Sequence, residues 1–531
     1  MLQLWKVDSN FREEWWFGGN SFPLIMYKMS DPSAINLPVS QALTSDMLLG
    51  LKPSAPKSRS YRLNVAPLNK SVFTGSDQMI FEIPCGRKGT WLDQSQSYLK
   101  FSVQVGANAA CAVGVNNAGI YSGIYVDNSA YSFLQRLDIY HSSNLLETQN
   151  EYGQLANFLM DTSLTQSDKA GLSSMLGTNN LSQLQNAAGV YAQYGQVAEM
   201  QRAGDKSGVG LAAVQLAGGI PAAAIPYTFS LPVLSGVIGI NASKMLPVGK
   251  LTSPVRCEFY TAANDDAIVY GLAGVGATWQ IINAELVCCF VELSDDLPSI
   301  PGVPDYISTK TYRQASTYMP AATSGEFTTL LPFRCASLTA LYTRCRPFAT
   351  AVQGVNATCA YRKGASINPN FSYVYWRVGS SMYPNKPIYL INTNCGTGAE
   401  GFAELLKSFH ALSASVGNTS IVSPQYNVCS GAAGPAAIQG WALAAPAGAA
   451  AGILGSHYNA FAIGLELESF SNRTDTILSG VSTLNSQVFL TAGVYTGQTV
   501  GGAGNLNFTL DFFAQMDMIL VIQDGTMSAK F

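Results

Sequence analysis

One eight-residue pattern occurs twice in this chain, and it limits the possible folds more than any other feature of the sequence. Residues 248–255 read V-x-x-L-x-S-x-V, and residues 481–488 read the same 233 positions later. The flanks also agree, with an alternating segment before each copy and a strongly apolar run after it, at 227–233 and 284–293 in the first half and at 461–467 and 514–522 in the second. Two similar β domains in one chain indicate a building block rather than an enzyme, because repetition serves tiling.

Composition narrows the classes of function. The 531 residues suffice for about two to four domains of roughly 100–200 residues each. Hydrophobic residues make up 47%, whereas charged residues make up only 12%, about half of the ~25% usual in soluble domains. Such a chain buries much of its surface against partners or presents long neutral loops. The net charge of −3 gives no overall attraction for nucleic acid, so we expect no sequence-specific nucleic-acid partner.

Apolar residues alternate with polar ones in many short segments, which is typical of strands that bury one face in a sandwich. The segments are 79–83, 99–105, 229–233, 255–260, 463–467, 506–512 and 516–522. The run 284–293 is apolar on both faces and therefore predicts a central strand. Helical spacing occurs at 151–160 and 401–413 only, which predicts short helices in the connections between strands, covering a sandwich end.

The best domain boundary is the proline-rich segment 295–304, because proline prevents central-strand pairing. We expect an N-terminal arm at 1–70, a first β-sandwich at 71–300 and a second at 301–531. Two stretches, 162–225 and 408–465, are predicted to be long insertions at one end of the sandwiches, packed against sister subunits. The second stretch contains no charged residue, and loops this long in a compact domain are usually functional.

The N-terminal arm carries an aromatic cluster, Trp15, Trp16 and Phe17, followed by many prolines and a basic stretch from Lys52 to Lys70. Large aromatic side chains are common binding anchors, so these three residues are the candidate assembly contacts. In this interpretation the arm runs beneath the molecule and ties it to a neighbour. The arm also fits a solvated linker, and the aromatic residues also fit a fold-back onto the first β-sandwich.

No constellation of residues predicts catalysis, and we expect no catalytic, cofactor-binding or metal-binding residues. The three histidines have no metal-ligand spacing, and the pattern from Gly208 to Ala213 lacks the strand that a dinucleotide site needs. Glu466 and Glu468 lie on one face of a strand, and a glycosidase also needs a pair of nearby carboxylates. The simpler interpretation is that these two residues lie on the solvent-facing side of the strand.

The ten cysteines form no C-x-x-C, and several lie in strand-like runs. We expect free, buried thiols and, without a visible signal peptide, assembly inside a cell.

These elements resemble the double jelly-roll major capsid proteins of DNA viruses, the adenovirus-like and large eukaryotic virus lineage, and most closely those of polinton-like viruses and virophages. The resemblance spans residues 76–531. The order of the resembling segments is specific, whereas the identity of their residues is loose. It rests on Phe81-Glu82-Ile83-Pro84, on Ser97-Tyr98-Leu99-Lys100-Phe101, on residues 133–140 followed by Leu146-Glu147 and Tyr152, on Asn283-Ala284-Glu285-Leu286, and on residues 516–525. The implied fold is all-β: two tandem jelly-roll β-sandwiches with short helices in loops.

The resemblance also implies a function. Members of this family form homotrimers whose six rolls make a pseudo-hexameric, hexon-like capsomer. Such capsomers tile an icosahedral capsid, and no reaction is catalysed. The implied partners are further copies of the chain, neighbouring capsomers, and penton and minor capsid or cement proteins. The implied location is the virion, with membrane contact left open.

Two other classes remain open at this stage. A tandem β-sandwich carbohydrate-binding or carbohydrate-active protein needs clustered carboxylates, exposed tryptophan and normally a secretion signal. A β-rich fibre protein needs many short repeats rather than two large ones. Oligomeric mass separates the first of these from a capsomer, because a lectin is often a monomer.

Overall fold

The computed structural model describes the segments that carry the strand patterns and some of the connections between them. The described residues are 57–107, 114–115, 121–122, 125–126, 129–177, 182–185, 191–194, 226–240, 244–269, 277–293, 304–320, 323–348, 366, 368–390, 398–409, 419–421, 426, 460–469, 478–494 and 507–531. The proline-rich segment 295–303 and the aromatic cluster at 15–17 lie outside them. Residues Ser58–Phe531 form one unit.

The first half forms two facing antiparallel sheets, together called roll 1. Sheet 1 has the order β1-β15-β4-β12, and sheet 2 has the order β3-β13-β8-β9. The strands are β1 (Ser58–Val65), β2 (Val72–Phe73, beside β15), β3 (Gln78–Ile83), β4 (Thr90–Ala107), β8 (Leu134–His141), β9 (Asn144–Asn150), β12 (Tyr227–Pro232), β13 (Val255–Thr261) and β15 (Ala277–Leu293).

The second half, roll 2, repeats this order strand for strand. Sheet 3 has the order β16-β23-β18-β21, with β24 beside β23, and sheet 4 has the order β17-β22-β19-β20. The strands are β16 (Asp305–Met319), β17 (Glu326–Leu331), β18 (Leu338–Phe348), β19 (Phe371–Val378), β20 (Ser381–Tyr389), β21 (Ala462–Glu466), β22 (Val488–Val494), β23 (Asn507–Gln523) and β24 (Thr526–Lys530). Two rolls of identical connectivity confirm the predicted tandem jelly-roll fold.

Short elements occupy the connections. Three small ladders pair β5 (Gly114–Val115) with β6 (Tyr121–Ser122), β7 (Tyr125–Val126) with β14 (Ile268–Val269), and β10 (Ser182–Gln185) with β11 (Tyr191–Tyr194). The helices are α1 (Tyr152–Ser163), α2 (Gln166–Gly171), α3 (Ser173–Leu176), α4 (Asn264–Ala267) and α5 (Ala399–Ser408), and 3-10 turns occur at Ala130–Phe133 and Val248–Lys250. Both predicted helices are therefore present, as α1 and α5.

Each roll buries the apolar face of its alternating strands. In β3 the buried residues are Met79, Phe81 and Ile83, and their neighbours are only half-buried. The run predicted to be a central strand lies in β15, between β1 and β4. Residues 286–288 are buried, whereas Glu285, Cys289 and Val291 are half-buried. The cores contain large aromatic side chains that include Trp279 in roll 1 and Trp376 in roll 2, both fully buried.

Three predicted boundaries differ from the structure. The arm was placed at 1–70, but β1 pairs with β15 from Ser58 to Val65, so these residues belong to roll 1. The insertion 162–225 begins with the helices α2 and α3 rather than with a loop, and the insertion 408–465 runs into strand β21. The remaining residues of both insertions lie mostly outside the described part of the chain.

Candidate assembly surfaces

The repeated pattern occupies the same place in both rolls. Each copy connects β12 to β13 or β21 to β22, and its final valine starts the following strand. Val255 pairs with Ile83, the last residue of β3, and Val488 pairs with Leu331, the last residue of β17. The two copies are therefore topologically equivalent.

The rolls meet in a buried junction centred on Glu147 of β9. This carboxylate accepts hydrogen bonds from the backbone of Gly236 at 3.1 Å and from Gln149 at 2.8 Å, and also from the hydroxyls of Ser235 and Thr311. Thr311 lies on β16, so the contact joins roll 1 to roll 2. A buried carboxylate surrounded by donors fixes the geometry of its neighbours, because each donor left unsatisfied is costly.

Gly236 shows how closely the rolls approach. A Cβ atom at this position would lie 2.6 Å from the Met518 side chain and 2.7 Å from the Lys310 backbone oxygen, both in roll 2. Only glycine fits without displacement. The ion pair between Lys250 and Asp305, with 2.6 Å between nitrogen and oxygen, crosses the same junction.

The last two strands of roll 2, β23 and β24, complete the core of roll 1. Met518, Leu520 and Met527 belong to the same buried cluster as the roll 1 residues. The backbone N–H of Met527 donates to Nδ1 of His141 at 3.1 Å, and burial lowers the pKa of His141 despite the opposing effect of the Ser253 backbone. A neutral imidazole is therefore the form that this contact needs.

Helix α1 makes the reciprocal contact. Phe158 packs against Tyr342, Phe409 and Phe513 of roll 2, with ring centroids 5.4, 5.6 and 6.3 Å apart. The helix is buried on nearly all sides. It lies between the rolls instead of covering a sandwich end, which the spacing of its apolar residues did not reveal.

The histidines and carboxylates considered in the sequence form no metal-binding cluster among the described residues. No group of three or more His, Cys, Asp or Glu side chains among them is placed to hold a metal ion. Glu468 pairs with Lys310 at 3.1 Å and accepts from Ser479, which is a structural contact. None of the described helices has the length and hydrophobicity to cross a membrane. His410, His457 and residues 208–213 lie outside the described part.

The described cysteines are Cys85, Cys257, Cys288, Cys289, Cys335 and Cys345, all of them free thiols. Burial raises the pKa of Cys85 to about 11 and that of Cys288 to about 12. The four buried thiols, Cys257, Cys288, Cys335 and Cys345, therefore behave as apolar core groups rather than as nucleophiles, whereas Cys85 and Cys289 are half-buried.

Sequence reasoning named Glu147 only through the resemblance and missed the junction around it. The available signal was a carboxylate directly after two leucines in a strand-like segment. Its partners Gly236 and Thr311 are 89 and 164 positions away, so no local pattern links them. The candidate contacts Trp15, Trp16 and Phe17 lie outside the described residues.

Comparison with known proteins gives no match to any family model and none to the curated proteins. Solved structures do match. The PBCV-1 protein VP54, fitted into a reconstruction of the virophage Sputnik, has a TM-score of 0.53 at 10% identity, covering 91% of this chain and 99% of that one. The Faustovirus major capsid protein has a TM-score of 0.52 at 8% identity, covering 93% and 95%.

A chain in a structure of the Sputnik virophage has a TM-score of 0.50 at 13% identity, covering 94% of each chain. At these identities the likeness establishes the fold. The chain is a tandem jelly-roll protein with two fused rolls. Over 93% of its length, its fold is similar to that of the Faustovirus major capsid protein.

Proposed function

We propose that this chain is a major capsid protein, whose homotrimers form pseudo-hexameric capsomers that tile an icosahedral virus shell. The observation that carries the proposal is the pair of rolls with one strand order, joined by a buried junction. Two similar rolls in each of three copies supply six similar units from one gene product. Heterologous contacts between such units close into rings.

The similar structures support this proposal because their likeness extends over more than nine-tenths of the chain. In this role the protein resides in the virion, after assembly inside the host cell, and catalyses no reaction. Penton and minor capsid or cement proteins are the further partners we propose. Trp15, Trp16 and Phe17 remain the proposed contacts to a neighbour.

The carbohydrate-binding alternative has little support in the described residues. Two of their three tryptophans, Trp279 and Trp376, are fully buried and unable to stack on a sugar. The carboxylate of Glu468 is engaged by Lys310 and Ser479.

Light scattering on the purified full-length chain tests the proposal, and electron microscopy of assembled particles extends the test. We expect a stable species of three times the chain mass and a pseudo-hexagonal outline. A monomer that binds glycans would contradict the capsid function and favour the alternative.

A further inference from the structure

The outer face of sheet 4 carries a layer of aromatic side chains, here called the tyrosine face. It consists of Leu330, Tyr373, Tyr375, Arg377, Tyr389 and Phe489. The rings of Tyr373 and Tyr375 lie side by side, with centroids 6.5 Å apart and planes 9° apart, and the Tyr389 ring is 6.4 Å from that of Tyr373. The three tyrosines therefore form one continuous surface on β19 and β20.

Neighbouring strands hold these side chains flat against the sheet. The Tyr373 ring lies over Gly493 of β22, where a Cβ atom would be 2.2 Å from its Cε1. The Arg377 guanidinium lies over the Phe489 ring, 5.3 Å from its centroid. Side chains that are already ordered lose little conformational freedom when a partner binds, so the tyrosine face is preorganised for binding.

The tyrosine face also has the composition of a binding surface. Leu330 is 48% exposed and Tyr389 is 49% exposed. Aromatic residues and arginine are enriched where proteins bind one another, and exposed apolar patches with polar borders mark such sites.

The matching face of roll 1, on β8 and β13, carries charges that satisfy one another instead. Arg136 pairs with Asp138 at 2.7 Å and Arg256 pairs with Glu258 at 2.8 Å, and the two carboxylate side chains are only 0% and 6% exposed. The jelly-roll fold therefore does not require an aromatic outer face, and the tyrosine face needs an explanation of its own.

The N-terminal arm contains a segment that is complementary to this face. Residues 12–17 read Arg-Glu-Glu-Trp-Trp-Phe. The three aromatic side chains suit a surface of rings, because aromatic pairs attract in offset and edge-to-face arrangements. The two glutamates of the segment complement the exposed Arg377, and its arginine complements Glu326, which accepts a hydrogen bond from the Tyr375 hydroxyl at 3.0 Å at the edge of the face.

The arm is long enough to reach another molecule. About forty residues separate Phe17 from the start of β1 at Ser58. At roughly 3.3–3.6 Å per extended residue, they span at most about 140 Å. The longest strand of the rolls, β4, has 18 residues and spans only about 60 Å.

We propose that residues 12–17 of one copy bind the tyrosine face of a copy in a neighbouring capsomer. This inference rests on the proposed function and names the surface that receives the arm. The aromatic side chains of the arm pack on the three tyrosine rings, and its glutamates approach Arg377. Each capsomer then holds its neighbours through segments that leave its own rolls unchanged.

Photo-crosslinking of assembled particles of the full-length chain tests this contact directly. Tyr389→p-benzoylphenylalanine puts a photoreactive group on the tyrosine face. Tyr318→p-benzoylphenylalanine, at a tyrosine of β16 that is 50% exposed, is the matched control. We expect irradiation to join position 389 to residues 12–17 of another chain, in a product of twice the chain mass, and the control to give no such product. Peptide mass spectrometry identifies the joined segments.

A charge exchange in the same photoreactive background separates a specific contact from a surface defect. Arg377→Glu places a third carboxylate beside the two glutamates of the arm, so we expect the crosslinked product to fall roughly tenfold. Arg334→Glu, at an exposed arginine in the loop between β17 and β18, is the control and leaves the product unchanged. Adding Glu13→Lys and Glu14→Lys to Arg377→Glu should restore the product. Circular dichroism checks that every variant is folded.

The outcomes separate this inference from the proposed function. A wild-type chain that stays monomeric would contradict the capsid function itself. Particles in which position 389 joins its own chain, joins a strand of another copy, or joins nothing would overturn the arm contact alone. A product that already forms in isolated trimers would overturn the link between capsomers, and a charge exchange that fails to restore the product would overturn the contact with Arg377. In each of these cases the capsid function stands.

Discussion

Gly236 lies where the two rolls approach closely, which makes the junction sensitive to one methyl group. The backbone oxygen of Lys310 is 2.7 Å from the position of a Cβ atom and has no room to withdraw, because β16 pairs with β23 along its full length. Glu147 depends on this approach, since the N–H of Gly236 is one of its donors.

We therefore expect Gly236→Ala to destabilise the fold by about 1–3 kcal/mol, the usual cost of overpacking a core. Gly171→Ala is the matched control, because a Cβ atom there meets nothing within 4 Å. Thermal unfolding of both variants measures the difference. Equal melting temperatures would show that the rolls separate easily at this point.

The free thiols give a second prediction at the residue scale. Raised pKa values leave little thiolate at Cys257 and Cys288 near pH 8, so iodoacetamide should modify them slowly in the folded protein and fully after denaturation. Peptide mass spectrometry resolves each site. The assembled species should also survive reductant and chelator, and dissociation by either would contradict the expectation that assembly needs no disulfide and no metal.

At the scale of the elements, the contact between β24 and roll 1 depends on pH. Its Met527 N–H donates to Nδ1 of His141, which protonation removes as an acceptor. Burial lowers the pKa of His141 below its ordinary value of 6.5. The unfolded chain therefore binds the proton more readily than the folded one, and stability is lost as pH falls below about 6.5.

We expect the melting temperature to fall between pH 7 and pH 5, and to fall less in His141→Gln, whose side chain does not titrate. Calorimetry at both pH values gives the comparison, and the difference between the two proteins removes the common effect of carboxylates. An equal fall in both would assign the acid sensitivity to other groups.

A strand could be predicted where its own residues alternate between apolar and polar, because this alternation reflects one buried face. In β3 and β12 the alternation of apolar and polar residues matches the buried and half-buried faces. Strand β1 was missed because most of its residues are exposed, so it has no fully buried face for its sequence to reflect. Strand β16 was missed because its burial comes from β23, some two hundred positions away, and from roll 1.

At the scale of the whole molecule, duplication was readable from the sequence but the junction was not. The pattern shared by 248–255 and 481–488 gives the number of rolls and their equivalent loops. The contacts of Glu147, Gly236 and Phe158 depend on how the two rolls pack against each other. This packing cannot be predicted from any single segment of the sequence. The arm poses the same problem at a larger scale, since its contacts depend on other molecules.

The arm gives the last prediction, in which residues 1–50 are deleted. Strand β1 begins at Ser58, so the deletion removes no described strand of roll 1, and trimers should still form. Trp15, Trp16 and Phe17 are lost, and each large aromatic side chain buries ~150–250 Å² at a contact. We therefore expect shell assembly or particle stability to fall.

Light scattering measures the trimer, and electron microscopy with thermal release assays measures the particles. A triple variant, with Trp15, Trp16 and Phe17 each replaced by serine in the full-length chain, should reproduce the defect and separates the aromatic side chains from the length of the arm. Loss of the trimer on deletion would favour aromatic residues that fold back onto roll 1. Normal particles would mean that the segment is a dispensable linker, because no anchor that joins neighbours can be removed without weakening the shell.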